Sequence, residues 1–369
     1  MTPRIFDESD FSARPGKRNS RPRSKNRPDH KDATTGFVTG VDRGRYTVLV
    51  DEDGPNERTI IAMKARELTR ERVVCGDRVD MVGDVSGTEG TLARIVRITE
   101  RTTVLRRTAD DTDPYERIIV ANADQLVIVT ALANPEPRTR MIDRCVVAAY
   151  DAGMEAVLLL TKADLASPDE LRDLYEPVGV KVLVTSLAKG TDAAHEHSEL
   201  GVDDVRAQLA GKVSVFVGHS GVGKSTLVNA LVPSADRATG RVNDVTGRGR
   251  HTSTSAVALR LPALHATATS DEPNAAESGA GWVIDTPGVR SFGLAHIDLD
   301  RVLAAFEDLE EIVADCPRGC THLESAPDCA LDEWMERAHA ANVDEDELSI
   351  TSKIKRIESL RRLLSARPE

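Results

Sequence analysis

The chain has 369 residues, a length that predicts two or three domains rather than one. Its composition, 40% hydrophobic and 29% charged with 3% aromatic, is typical of a soluble globular protein and excludes a collagen-like, disulfide-framework or mostly disordered chain. No window approaches 18 consecutive apolar residues, and the first twenty residues lack the apolar core of a secretion signal. We therefore expect a cytoplasmic protein with no membrane partner.

The net charge of −12 argues against a nucleic-acid partner, because phosphate binding needs basic side chains. The average hides an asymmetry, since residues 11–28 carry seven basic residues and no acidic one. With almost nothing apolar to bury, residues 1–35 are interpreted as a disordered basic arm. An RNA-seeking arm and a solubilising tail both remain open.

Residues 36–104 consist of short alternating stretches separated by Gly and Asp turns at hairpin-like intervals. This pattern predicts a small antiparallel β-barrel, most simply of the OB type, which often binds oligonucleotides on one face. Phe37 and Tyr46 are the only aromatic residues between positions 37 and 107, which is a poor platform for base stacking. Any RNA contact of this barrel is expected to involve backbone and shape.

Residues 105–297 contain apolar runs too continuous for a half-exposed sheet, alternating with helical segments. They predict an α/β domain with a parallel sheet, and residues 263–281 are interpreted as a surface insertion. One helix is predicted from Thr139 to Gly153, with Cys145 in its apolar face. The apolar runs are QLVIVTALA, EAVLLLTKAD, VKVLVTS, VSVFVGHSG and WVIDTPG.

Residues 298–369 contain a cysteine cluster followed by two helical stretches. The second stretch repeats apolar residues at helical spacing and intersperses basic ones. A packed helix with solvated charge and an RNA-contacting helix are both open interpretations. The basic residues are Lys353, Lys355, Arg356, Arg361 and Arg362.

A phosphate-binding loop is indicated by Gly218-His-Ser-Gly-Val-Gly-Lys224-Ser225, which fits the pattern G-x-x-x-x-G-K-[ST]. It follows an apolar strand and begins a helix, which is the context that the motif requires. Backbone N–H groups of such a loop point at phosphate oxygens, and Lys224 reaches the β and γ phosphates. The Ser225 hydroxyl is a candidate magnesium ligand.

A second element is Asp285-Thr286-Pro287-Gly288, at the end of the apolar strand WVI. There a carboxylate can hold the magnesium shell, and the Gly288 amide can meet a γ-phosphate. Residues 247–254, rich in Gly and Arg, suit a switch loop. One of its last three hydroxyls is expected to complete the magnesium shell, and spacing leaves open which of Thr252, Ser253 and Thr254 does so.

Val289 follows this motif where many GTPases have a Gln that orients the attacking water. Water positioning must then come from elsewhere, and His251 is a candidate catalytic substitute. An ordinary surface histidine is the alternative. We expect slow intrinsic turnover and a partner that orders the switch.

Thr161-Lys162-Ala163-Asp164 ends the apolar strand AVLLL and resembles the [NT]-K-x-D guanine-recognition motif of GTPases. The Asp164 carboxylate would accept from N1–H and the N2 amine of guanine, while Lys162 packs over the base. Adenine offers no such donor pair, so the arrangement selects GTP over ATP. A plain strand end followed by a turn is the alternative, and residues 184–186 are candidates for a further backbone contact to the base.

The guanine motif precedes the phosphate loop here, whereas conventional GTPases place it last. We therefore predict a circularly permuted GTPase domain. Permutation keeps the nucleotide site intact in space if the termini of the unpermuted domain lie close together. The permutation also puts Asp285–Gly288 directly before the C-terminal module, so a segment that responds to the γ-phosphate would act on that module.

Three cysteines and one histidine cluster within fourteen residues: Cys316, Cys320, His322 and Cys329. Three thiolates and an imidazole form a closed tetrahedral set, the structural form of zinc coordination. A set of free thiols is the alternative, disfavoured because the rest of the chain holds only Cys75 and Cys145.

This order of barrel, permuted GTPase motifs and Cys-Cys-His-Cys cluster resembles the ribosome small subunit-dependent GTPase A family over about residues 36–365. The resemblance implies a GTPase that binds the small ribosomal subunit late in assembly, is stimulated by it and leaves after hydrolysis. It also implies that the barrel and the zinc module bind rRNA, and that magnesium accompanies GTP. We expect a monomer. The chain departs from the family in its cysteine spacing, with three residues rather than four in the first gap.

Carried over by position, His251 takes the place of the family's proposed catalytic histidine and Val289 that of its hydrophobic replacement for Gln. Lys224, Asp285 and Gly288 complete the predicted catalytic set. The predicted nucleotide-binding residues are Thr161, Lys162, Ala163, Asp164, Gly218, His219, Ser220, Gly221, Val222, Gly223, Lys224, Ser225 and Thr226.

Two other functions compete with a GTP-hydrolysing assembly factor. One is a GTP-dependent RNA-binding module in which the nucleotide only sets affinity, favoured by Val289 in place of Gln. The other is a P-loop kinase for a small molecule, against which the guanine motif and Asp285–Gly288 both argue.

Overall fold

A computed structural model of the protein divides the chain into two units, Met1–Asp32 and Ala33–Glu369. All described strands and helices lie in the second unit. The predicted basic arm falls outside the described part of the chain up to residue 29. The described residues are 30–68, 71–108, 116–187, 201–232, 256–262, 281–286, 292–294, 297–340 and 347–366.

The first five strands form the small barrel that the alternating stretches predict. One of its pairings, β3 with β5, is parallel, whereas the sequence pattern predicted antiparallel pairing throughout. Strand β1 pairs with β2, β2 with β3, β3 with β5 and β5 with β4, and β4 closes the ring by pairing with β1. Ile60, Met81 and Ile95 fill its interior. Gly36 is required because a Cβ there would lie 2.6 Å from Val48 Cγ1. The strands are β1 Thr34–Asp42, β2 Arg45–Val50, β3 Arg58–Lys64, β4 Arg78–Gly83 and β5 Ala93–Ile98.

A two-stranded antiparallel hairpin connects the barrel to the α/β sheet. It consists of β6 (Val104–Arg107) and β7 (Arg117–Ala121). Cys75 of the barrel forms a β-bridge with Val120 of this hairpin, so the hairpin is fixed against the barrel.

The central sheet has the strand order β10-β9-β8-β11-β13-β12. The five strands predicted from continuous apolar runs are all parallel, as expected. Their apolar continuity arises because successive residues point to opposite faces and both faces are covered by helices. The strands are β8 Gln125–Ala131, β9 Glu155–Thr161, β10 Lys181–Val184, β11 Val213–Gly218, β12 Val257–Arg260 and β13 Trp282–Asp285.

Strand β12 is antiparallel to β13 and joins the two parts of the molecule. It is only partly buried, as suits an antiparallel strand with one solvated side. On its other edge Val257 pairs with Gly40 of β1, so the barrel and the α/β sheet form one eleven-stranded sheet.

Side chains reinforce this junction between barrel and sheet. Trp282 Nε1 donates to Glu52 Oε1 over 2.7 Å, and the Trp282 ring lies 5.2 Å from that of Phe37. Arg260 forms ion pairs with Asp53 and Glu57, the latter at 2.7 Å, and its guanidinium lies over the Trp282 ring. The barrel is therefore held against β12 and against β13, the strand that ends at Asp285.

Helices cover both faces of the central sheet. One face packs against α1 and α2, with α5 and α8 lying on α1, and the other face packs against α3 and α4. Cys145 is buried in the first of these layers, as predicted. Short 3-10 helices lie at Arg66–Leu68, Glu176–Val178 and Glu307–Leu309. The α-helices are α1 Thr139–Asp151, α2 Asp169–Tyr175, α3 Val202–Leu209, α4 Lys224–Leu231, α5 Leu299–Leu303, α6 Glu310–Val313, α7 Ala330–His339 and α8 Glu347–Leu364.

The basic residues of α8 are mostly used inside the fold. Arg356 Nη1 donates to the carbonyl of Pro177 over 2.6 Å and its Nε lies 2.6 Å from Asp308. Arg362 Nη2 donates to the carbonyl of Leu174 over 3.0 Å. These contacts support the packed interpretation of the helix.

None of the helices in the described ranges is long and apolar enough to cross a membrane.

Candidate nucleotide and metal sites

The phosphate loop lies at the carboxyl edge of the central sheet, between β11 and α4. Gly218 ends β11 so close to β8 that a Cβ there would lie 2.6 Å from the carbonyl of Val129. Gly221 and Gly223 have φ values of +87° and +89°, in the left-handed region that favours glycine. The loop then enters α4 at Lys224, so the unbonded N–H groups of that helix start lie where anions bind best.

Lys224 and Asp285 form an ion pair at this edge. Strand β13 runs parallel to β11 with Asp285 opposite Phe216, which brings the carboxylate beside the loop. Thr286 Oγ1 donates to the carbonyl of Phe216 over 2.8 Å and fixes the strand end. The Asp285 side chain keeps 31% of its area exposed and is accessible to a metal–nucleotide complex.

The guanine-type motif meets the phosphate loop directly. Thr161 Oγ1 donates to the carbonyl of Val222 over 2.6 Å. Lys162, in a left-handed conformation with φ +59°, donates through Nζ to the carbonyl of Gly221 over 3.0 Å and to that of Asn134. Two motifs that are 57 residues apart in sequence, from 161 to 218, thus form one site, which is the arrangement that circular permutation predicts.

Ser186 holds the carboxylate of this motif. Its hydroxyl donates to Asp164 Oδ1 over 2.6 Å, and the Ala163 N–H donates to the carbonyl of Thr185 over 3.4 Å. Sequence reasoning assigned residues 184–186 only a backbone contact to the base and missed this side-chain role. The sequence signal for this role was the hydroxyl pair Thr185-Ser186, which directly follows β10, the strand next to β9.

Several predicted residues lie outside the described residues: His251, Thr252, Ser253, Thr254, Gly288 and Val289.

The Cys-Cys-His-Cys cluster converges in space. The four ligand atoms lie within 4.8 Å of one another, with Cys316 Sγ 4.0 Å from Cys329 Sγ and 3.5 Å from His322 Nδ1. Zinc bond lengths of about 2.3 Å to sulfur and 2.0 Å to nitrogen give tetrahedral edges of about 3.8 Å and 3.5 Å. The donor set and its spacing therefore fit a tetrahedral metal ion.

The surroundings of the cluster also suit a metal. Burial, with neighbouring Cys329 and Cys320, raises the pKa of Cys316 to about 11, although the Ala330 N–H opposes the rise. Burial and the Arg361 charge lower the pKa of His322, which favours the neutral imidazole that binds metals. A bound metal cation deprotonates the thiols that coordinate it.

The phosphate loop joins β11 to α4, the guanine-type motif follows β9, two strands away from β11, and the acidic end of β13 lies beside the loop. Together these features define a circularly permuted P-loop GTPase fold. Solved structures share it. The crystal structure of YjeQ from Thermotoga maritima matches with a TM-score of 0.55 and 24% identity, covering 90% of this chain and 99% of that one. The crystal structure of YloQ, a circularly permuted GTPase, matches with a TM-score of 0.54 and 22% identity, covering 93% and 99%.

The chain belongs to the RsgA GTPase family, whose model matches residues 98–295. The small ribosomal subunit biogenesis GTPase RsgA of Alcanivorax borkumensis is 34% identical over 331 residues, 87% of this chain and 83% of that protein. The protein of the same name from Pseudomonas aeruginosa is 39% identical over 225 residues, 59% of this chain. The match spans 58% of the length of that relative.

Proposed function

We propose that the protein is a GTPase that binds the small ribosomal subunit late in its assembly, hydrolyses GTP when the subunit stimulates it, and leaves after hydrolysis. The observation that carries the proposal is the bond from Lys162 to the Gly221 carbonyl, because it joins a guanine-type motif to a phosphate loop in one site. The curated relatives from Pseudomonas and Alcanivorax are named as small ribosomal subunit biogenesis GTPases, which supports the same partner.

We infer the nucleotide roles from the sequence motifs, and the geometry of the site supports them. The Asp164 carboxylate accepts from the two guanine donors, and Lys162 covers the base. The N–H groups of Gly218–Thr226 hold the phosphates, where the positive end of α4 and the Lys224 ammonium offset their charge. Lys224 must leave Asp285 to reach the β and γ phosphates, so nucleotide binding exchanges one partner of this lysine for another.

Magnesium suits the oxygen donors of Ser225 and Asp285, which are the ligand type that it prefers. When bound, the ion offsets the charge that develops on the transferred phosphoryl group. Gly288 is assigned to the γ-phosphate and His251 to water positioning, with one of Thr252, Ser253 and Thr254 on the metal. These assignments rest on the sequence motifs alone.

Zinc is the metal that we assign to Cys316, Cys320, His322 and Cys329, one ion per chain in a structural role. Three sulfur donors and one nitrogen leave no open position for a substrate, so the ion stabilises the fold of the C-terminal module. Arg361 supports this arrangement by donating to the His322 carbonyl over 3.3 Å and to Asp332 over 2.7 Å.

We assign residues 36–104 to an rRNA-binding barrel, residues 105–297 to the GTPase domain and residues 298–369 to an rRNA-binding zinc module. The protein is proposed to act as a cytoplasmic monomer, with the small subunit and its rRNA as partners.

Nucleotide competition tests the proposal. GTP should displace a fluorescent GDP analogue from the protein, and ATP should not. Asp164→Asn should weaken GTP and favour xanthosine triphosphate, because an amide cannot accept from both guanine donors. Tight ATP binding that GTP cannot displace would contradict the GTPase function, and unchanged selectivity of Asp164→Asn would place the base elsewhere.

A further inference from the structure

Arg144, in the middle of helix α1, connects two segments that are distant in sequence. Its Nε donates to the carbonyl of Phe292 over 2.7 Å, and its Nη1 donates to the carbonyl of Ala366 over 3.1 Å. Phe292 follows Asp285 by seven residues, and Ala366 lies two residues beyond the end of α8. One guanidinium therefore joins the chain that leaves the nucleotide site to the end of the C-terminal helix.

The Phe292 end of this contact is fixed in the core. Phe292 and Leu294 are fully buried in the same apolar cluster as the inner face of α1. Phe292 belongs to none of the helices and strands of the described residues, so its carbonyl has no ladder partner there. A buried carbonyl requires a hydrogen-bond partner, and Arg144 supplies it.

The chain around Asp285 is thereby held from both sides. On the side of the sheet, Thr286 donates to the carbonyl of Phe216 over 2.8 Å and fixes the end of β13 beside the phosphate loop. On the other side Arg144 fixes the chain at Phe292. Because only seven residues separate Asp285 from Phe292, a shift of the second anchor is transmitted over a short stretch of chain.

The Ala366 end of the contact is fixed by helix α8. Arg362, four residues earlier, forms an ion pair at 3.3 Å with Asp143, the residue before Arg144. Ala366 is buried and donates its N–H to the carbonyl of Leu363 over 3.1 Å. Two consecutive residues of α1 therefore bind the same end of α8, one through a carboxylate and the other through a guanidinium.

Helix α8 also contacts the guanine side of the nucleotide site and the cysteine cluster. Arg362 Nη2 donates over 3.0 Å to the carbonyl of Leu174 in α2, the first helix after the guanine-type motif. Arg361 Nε donates to the carbonyl of His322 over 3.3 Å. The Arg144 bridge adds a third contact, with the chain that follows the acidic end of β13.

We propose that Arg144 is a positioning residue for GTP hydrolysis, which holds the chain after Asp285 in place and makes that placement depend on the end of helix α8. Both bonds described above go to backbone carbonyls, so Arg144 acts through the chain and not on the nucleotide. The inference rests on the proposed role of the Asp285–Gly288 motif in hydrolysis, and it requires no ribosomal partner.

Single-turnover hydrolysis at saturating GTP, with the full chain and without ribosomes, tests the proposal. Arg144→Gln should lower the rate by about tenfold or more, because a misplacement of about 1 Å can cost about a hundredfold. GDP has no γ-phosphate, so its affinity should stay within about threefold of the wild type. A residue that only stabilised the fold would change the urea midpoint and leave the rate of the folded protein unchanged.

Arg144→Lys is the conservative variant. Its single ammonium replaces the planar fork that reaches both carbonyls, so the rate should lie between those of wild type and Arg144→Gln, about threefold below the wild type. Because it keeps a charged donor in the core, it also carries the comparison if Arg144→Gln does not fold.

Hydrogen exchange tests the link to α8. In the wild type, a nonhydrolysable GTP analogue should change the exchange rate of amides at the end of α8 by about threefold relative to GDP, because coupling between two sites is reciprocal. Arg144→Gln should remove this difference. A difference that persists in Arg144→Gln would overturn the link.

Arg301→Gln is the matched control. Arg301 also bridges α1 to another helix, α5, by donating Nη1 to the carbonyl of Asp151 over 3.1 Å. The rate of this variant should stay within about threefold of the wild type. An equal loss of rate in Arg301→Gln and Arg144→Gln would mean a general loosening of α1 and would overturn the proposal.

The wild-type rate separates this inference from the proposed function. A wild type that does not hydrolyse GTP would contradict the proposed function and, with it, the role of Arg144. A wild type that hydrolyses GTP no faster than folded Arg144→Gln would contradict the role of Arg144 alone.

Discussion

Ser186 donates its hydroxyl to Asp164 over 2.6 Å, and this bond couples two parallel strands at the nucleotide site. Asp164 follows β9 and Ser186 follows β10, so the bond forms only when both strands are in register. One carboxylate oxygen of Asp164 is thereby held in place in the absence of a nucleotide. The selectivity for guanine should depend on this fixed orientation as well as on the carboxylate itself.

Removing the hydroxyl tests this coupling. Ser186→Ala should lower GTP and GDP affinity by about tenfold, because a hydrogen bond to a charged group contributes about 1.5 kcal/mol or more. Ser186→Thr keeps the hydroxyl and should remain within about threefold of the wild type. Isothermal titration with both nucleotides measures the effect, and equal affinity of wild type and Ser186→Ala would show that Asp164 needs no support.

Lys224→Ala should abolish GTP turnover and leave the fold intact. In the proposed nucleotide complex the lysine contacts phosphate. Its ion pair with Asp285 is partly exposed, so the loss of this pair costs no more than about 1 kcal/mol of unfolding free energy. Circular dichroism checks the fold and phosphate release checks the turnover. Turnover near the wild-type rate would exclude this loop as the catalytic site.

Removal of the metal should unfold the C-terminal module. The ligands must lose protons to bind, and without a cation the pKa of Cys316 is raised to about 11, so metal binding releases protons and strengthens as pH rises. Chelator extraction of zinc should therefore become easier as pH falls. Cys316→Ser should lose the metal.

A matched cysteine variant controls this experiment. Cys145 is buried in the α/β core, far in sequence from the cluster, and burial raises its pKa to about 12. Cys145→Ala should keep one zinc per chain by elemental analysis. A zinc content that is equal in wild type and Cys316→Ser would contradict the assignment.

Arg362→Met should destabilise the protein by about 3 kcal/mol, because it leaves Asp143 buried without its charge partner. Burial raises the pKa of Asp143 above its usual value, and the Arg362 charge and the Tyr175 hydrogen bond only partly oppose this rise. Because the variant removes the Arg362 charge, it should raise the pKa of Asp143 further. A carboxyl with a raised pKa binds more protons in the folded state than in the unfolded state. The loss of stability caused by Asp143 should therefore grow as the pH rises from 3.8, its ordinary pKa, to its pKa in the folded protein.

Urea unfolding at acidic and neutral pH measures this effect. The stability gap between wild type and Arg362→Met should be larger at neutral pH. Asp143→Asn in the Arg362→Met background should recover part of the loss, since it removes the uncompensated charge. A gap independent of pH and of Asp143 would mean that Arg362 acts by packing alone.

The local patterns predicted most of the fold. Continuous apolar runs predicted five parallel strands because both sheet faces are buried, and alternating stretches predicted the barrel. The phosphate loop and the guanine-type motif could be placed together because parallel strands end at one edge of a sheet. The cysteine cluster converges despite its shorter first gap, with Gly319, His322 and Asp328 in left-handed conformations.

The contacts between distant elements could not be read from the sequence. The interspersed basic residues of α8 look like a solvated face, yet Arg356 and Arg362 reach carbonyls that precede them by more than 170 residues. The pairing of β1 with β12 places Gly40 opposite Val257. The alternation of apolar residues predicts which face of a strand is buried, but it does not predict which other strand pairs with it. The Ser186–Asp164 bond was missed for the same reason.

GTP turnover of the purified protein, measured alone, with small ribosomal subunits and with large subunits, tests the proposed function most directly. Lys224→Ala serves as the blank. Slow turnover alone, strong stimulation by small subunits and none by large subunits is the predicted result. GTP-dependent binding to small subunits without any stimulation would contradict an activated GTPase and would favour a nucleotide-controlled RNA-binding protein.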